Sequence, residues 1–161
     1  MSAADDELNV LAVLYEKFKN PLCALSAIRI SLEHDLPIPP WGQEYLLHSI
    51  NLLLAIPLGP GQTPPALLKE YTELKFPKNT HAAIADALGL SKHGVHITDQ
   101  YYELLRNIEI SRAVRRQRSE ETRPRMQTTI NEKVGELFGL EHGQVGKIYE
   151  KFSPLIEKID R

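Results

Sequence analysis

The sequence predicts an all-α fold, an orthogonal or bundle arrangement of about eight or nine short helices. Three observations predict it. Apolar residues recur at three- and four-residue spacing through most of the chain. Proline and glycine punctuate those stripes at short intervals. No segment shows the period-2 alternation between turn signals that marks a hairpin. With 161 residues, 42% apolar and 25% charged, the chain has ordinary globular composition and can bury a core without disulfides or metal.

Leu8, Leu11, Tyr15 and Phe18 share a helical face and predict a first helix over 5–19. Asn20-Pro21 is a start signal, because Asn caps and Pro at the first helical position loses no needed donor. Leu22, Leu25, Ile28 and Leu32 then form the second stripe. The proline-rich stretch 36–40 reads as an extended connector that Trp41 anchors in the core. A third helix carries Leu46, Leu47, Ile50, Leu53 and Leu54 and ends at the Pro/Gly cluster of 57–61. Thr63-Pro64 starts another, with Leu67, Leu68, Tyr71 and Leu74 on one face and Pro77 as its stop. Residues 1–76 thus read as an acidic helical bundle whose apolar stripes are intramolecular core.

The formal charge of -2 excludes a bulk polycation and an acidic disordered tail. Resolved along the chain, it is uneven. Residues 1–80 carry 6 basic and 9 acidic groups, and residues 81–161 carry 13 and 12. Residues 112–125 alone hold six arginines against Glu120 and Glu121. The single Cys23 permits no intrachain disulfide and favours a reducing, cytoplasmic setting. Its neighbours Leu22 and Leu25 make it a small buried hydrophobe rather than a nucleophile. The acidic start lacks a secretory signal, and the longest apolar run, 52–58, is too short to span a bilayer.

The second region, 77–161, contains an internal repeat at an offset of 50 residues, 82–102 against 132–152. Gly89/Gly139, Leu90/Leu140 and Val95/Val145 are identical. Ile84/Val134, Ala85/Gly135 and Leu88/Phe138 agree in class. Each copy resembles the helix-turn-helix motif. That motif needs a small residue where its second helix crosses (Ala85, Gly135) and a turn glycine at positive φ (Gly89, Gly139). Its apolar positions are filled by Ile84, Leu88, Leu90 and Val95, and by Val134, Phe138, Leu140, Val145 and Ile148. The first copy departs from the pattern at Thr98, and Ser91 reads as the cap of its second helix.

The resemblance implies a helix pair joined by a short turn, whose second helix presents polar side chains to base edges. In copy one these are Lys92, His93, His96 and Gln100; in copy two, Gln144 and Lys147, with His142 and Lys151 beside them. Glu141 at the start of the second helix complements the macrodipole but repels phosphate. The basic connector 112–125 supplies the phosphate contacts: Arg112, Arg115 and Arg116 share a face at i, i+3 and i+4, and Arg118 points elsewhere.

No Walker loop, GxGxxG, HExxH or GxSxG occurs. His93 and His96 lack the further ligands a zinc site takes. The reading is therefore a non-enzymatic, cytoplasmic protein of bacterial or phage type, without metal or cofactor, that binds double-stranded DNA and regulates transcription. A homodimer would meet two half-sites at integral helical turns; tandem units in one chain would meet adjacent grooves. The competing reading is an interaction module in which both units are structural and the arginines engage an acidic protein partner.

Overall fold

The computed structural model describes residues 2–55, 80–91, 96–120 and 127–160. Among them are seven α-helices and no strand. The all-α class is therefore as expected; the anticipated helix after Thr63 lies outside the described residues. The chain divides into two compact units, Met1–Ile97 and Thr98–Arg161. That division falls inside the first repeat copy, some twenty residues beyond the boundary expected from composition.

In the first unit, α1 spans Ala3–Phe18. Ser2 and Asp5 form a reciprocal capping box at its start, which satisfies donors the helix leaves orphaned. The helix stops at Lys19, in the left-handed region at φ 51°. Leu11 is buried as expected, but Val10, Val13 and Leu14 join it, whereas Tyr15 and Phe18 are only partly covered.

Asn20 caps α2 (Pro21–Glu33), its side-chain oxygen accepting from the Leu22 amide at 3.0 Å. Its side-chain amide also donates to the Ile97 carbonyl at 3.2 Å. The leucine stripe expected to face the core is covered only in part: Leu22, Leu25 and Ile28 are half-buried and Leu32 is 66% exposed. The buried face is Cys23, Ala24, Ala27, Ile30 and Ser31. Small side chains on that face let neighbouring helices approach closely, so it buries more completely than the leucines beside it.

The helix α3 runs Pro40–Ala55. Trp41 stacks on Tyr15 with centroids 5.0 Å apart, tying the connector to α1. The expected core face of α3 is corrected by rotation. Leu52 is buried, whereas Leu47 and Leu54 are 63% and 60% exposed. Leu52 packs with Ala83 and Ala87 of α4 (Thr80–Ala87). The Tyr45 hydroxyl donates to the Leu88 carbonyl at 2.9 Å, just past the end of α4.

The second unit holds α5 (Ile97–Glu120) from Thr98 onward, α6 (Gln127–Phe138) and α7 (His142–Ile159). Ile110 and Val114 of α5 meet Ile130 and Val134 of α6 and Val145 of α7 in one core. The C-terminal half of α7 adds buried Phe152, Leu155, Ile156 and Ile159, and Pro154 lies inside that helix on its exposed side.

Candidate nucleic-acid interface

The junction of α6 and α7 follows from two glycines. Gly139 adopts φ +65°, a conformation that L side chains resist, and ends α6. The Leu140 amide then reaches back to the Gly135 carbonyl at 2.9 Å, the long bond of a Schellman stop. A Cβ on Gly135 would run into the Leu140 carbonyl oxygen, so only glycine fits there. Glu141 is the N-cap residue of α7, and the Gln144 side-chain oxygen accepts from the Glu141 amide at 3.0 Å. The result is two helices joined by the short turn 139–141.

Copy one shares the stop. Gly89 sits at φ +66°, and the Leu90 amide bonds to the Ala85 carbonyl at 2.7 Å. Ser91 and His96 both lie outside helix, and α5 begins only at Ile97. The equivalent position in copy two, Lys147, is already in the second turn of α7. The residues that Ser91 would cap, 92–95, lie outside the described residues. Lys92 and His93 lie outside the described residues. His96 is exposed just before α5, and Gln100 is half-buried on it.

The arginines of α5 divide differently from the expectation. Arg115 pairs with Asp160 at 2.7 Å, and Arg112 lies 3.7 Å from the same carboxylate. Arg118 does not point elsewhere: its guanidinium lies over the Tyr149 ring of α7, 4.2 Å from the centroid. Arg112, Arg115 and Arg118 thus run along α7, as a spacing of three residues permits. Arg116 is exposed, and no described residue pairs with its side chain. Arg106, earlier on α5, donates to the Phe138 carbonyl at 2.9 Å and so caps the C-terminus of α6.

Two open grooves flank α7. One, of about 620 Å³, is lined by Gln127, Gly143, Gly146, Lys147, Tyr149, Glu150 and Ser153. At Gly146 a Cβ would come within 3.1 Å of the Asn131 side-chain amide, a tight contact; around Gly143 there is open space. The other groove, of about 550 Å³, follows the turn and carries Glu132, Glu136 and Glu141 beside His142 and Gln144. Lys147 is exposed, as is Gln144, although the latter is occupied as a cap.

Tyr149, Asp160 and the pair Glu132 and Glu136 escaped sequence reasoning. The glutamates had a legible signal, their i, i+4 spacing ahead of the turn; Asp160, 45 residues from Arg115, had none. Among the described residues no group of three or more His, Cys, Asp or Glu is placed to hold a metal ion. Cys23 is buried, and that burial pushes its thiol up to about 12. No described helix is long and apolar enough to cross a membrane. Comparison with known protein families, with curated proteins and with solved structures finds no match to this chain.

Proposed function

We propose that the unit formed by residues 98–161 binds nucleic acid along the Lys147 side of α7, without catalysing a reaction. One observation carries the reading. The groove with Lys147 on its wall has Gly143 where a side chain would stand, with open space around it, so a sugar-phosphate strand can approach the helix backbone closely there. Lys147 and Lys151, both exposed, and Arg116 would meet phosphates, and His142 would reach bases beside the helix start. Arg112, Arg115 and Arg118 are partly used in holding α5 to α7, and Gln144 is partly used at its cap. A regulatory role in transcription would follow only from sequence-specific duplex binding.

The experiment is binding of the full chain to duplex DNA across a salt series. The logarithm of affinity should fall linearly with the logarithm of salt, and the double variant Lys147→Ala, Lys151→Ala should reduce that slope by about 2. Absence of binding at low salt overturns the proposal. A second reading is favoured by the acidic groove at Glu132, Glu136 and Glu141, which suits a basic protein surface and repels phosphate. Under it, Glu132→Gln with Glu136→Gln would abolish partner capture and leave DNA untouched.

A further inference from the structure

Between α5 and α7 lies a small cavity of about 70 Å³, lined by Arg115, Tyr149, Ser153, Ile156 and Glu157. It is separate from the turn and contains none of the base-reading candidates. Its composition is unusual for a gap between packed helices. Arg115, Tyr149, Ser153 and Glu157, four residues with polar side chains, line a space of roughly one small polyatomic ion beside Ile156. Asp160 engages only one terminal nitrogen of Arg115, at 2.7 Å, and a guanidinium has five N–H donors in a planar fork. Arg118, stacked on Tyr149, adds a second positive charge to the same wall. Arg112, Arg115 and Arg118 outnumber the nearby carboxylates of Glu157 and Asp160.

We propose that this cavity is a subsite for one tetrahedral oxyanion of phosphate size. Arg115 donates to two of its oxygens, and the Tyr149 and Ser153 hydroxyls donate to the others. Glu157 opposes the anion and holds its affinity down. Ser153 and Tyr149 line both this cavity and the Lys147 groove, so the bound group is either a free phosphate or one phosphate of a strand lying in that groove. The subsite does not depend on the nucleic-acid reading, since a free anion satisfies it.

The test is an amide chemical-shift titration of the full chain with inorganic phosphate at constant ionic strength, with chloride as the control. Saturable shifts should centre on Tyr149, Ser153 and Glu157. Arg115→Gln should weaken binding about tenfold. Glu157→Gln should tighten it severalfold, an effect that loss of folding cannot imitate. Diffuse, non-saturating shifts, or no tightening in Glu157→Gln, overturn the subsite. The same variants titrated with duplex DNA separate the two sources. If Glu157→Gln tightens phosphate and leaves the duplex unchanged, the occupant is a free anion; if it tightens both, it is a strand phosphate. Duplex binding without a phosphate site leaves the groove reading standing and removes this one.

Discussion

The guanidinium of Arg118 sits 4.2 Å from the centroid of the Tyr149 ring, on a residue that also lines both cavities beside α7. A cation over an aromatic face at a partly exposed site contributes about 0.5–1 kcal/mol. Tyr149→Phe keeps the ring and should leave the urea midpoint nearly unchanged. Tyr149→Leu loses the interaction and should lower stability by about 1 kcal/mol. Equal losses in the two variants would assign the effect to the hydroxyl instead.

Asp160 occupies Arg115 and lies near Arg112. All three side chains are a quarter to a half exposed, so removing the carboxylate should cost no more than about 1 kcal/mol. It should also release the Arg115 guanidinium from its ion pair. If phosphates bind on this side, Asp160→Asn raises duplex affinity at low salt and steepens its salt dependence. Unchanged affinity would show that these arginines serve only to fasten α5 to α7.

Two glycines of the α6–α7 unit should respond oppositely to alanine. At Gly135 a methyl group meets a backbone oxygen that cannot move without breaking the turn, and a loss of about 2–3 kcal/mol is expected. At Gly143 there is open space in the first turn of a helix, and a gain of about 0.5 kcal/mol is expected. Denaturant unfolding checks both. A Gly143→Ala variant that is more stable but binds nucleic acid less well would link that glycine to close backbone approach.

Burial raises the Cys23 thiol from its ordinary 9.0 to about 12. The unfolded chain therefore releases this proton at a lower pH than the folded one does. The contribution to stability is complete below about 9 and is lost progressively as pH rises from there toward 12. Unfolding free energy should fall across that window in the wild type and fall less in Cys23→Ala. The native thiol should also resist a thiol-directed reagent near neutral pH and react once the chain is unfolded.

Local signals were the legible part of this chain. Asn20-Pro21, Gly89 and Gly139 act through hydrogen bonds to residues a few positions away, so their spacing carries their meaning. The helical faces were less legible. Leu32, Leu47 and Leu54 are more hydrophobic than Ala24, Ala27 and Ala83, yet the alanines are the buried ones, because closeness of approach rather than side-chain size decides which face packs. The arginine segment was legible as charge but not as contact. What Arg115 and Arg118 touch depends on Asp160 and Tyr149, which arrive through the path of α6 and leave no periodic trace on α5. In the repeat the two helix stops match, because each rests on a glycine at positive φ.

The proline inside α7 divides that helix into stretches of unequal durability. Pro154 has no amide proton to give, so the carbonyl of Glu150 lacks its usual donor one turn on. Beyond this gap the helix is nailed down by Leu155, Ile156 and Ile159; before it, only Val145 and Phe152 are fully buried, and Gly143 and Gly146 weaken helix formation. Deuterium should therefore replace the amide protons of residues 145–151 well before those of 155–159, through opening of the first stretch alone. The surface offered to a ligand is then the part of the helix held most loosely, and a bound strand or anion would register first as slowed exchange in that stretch.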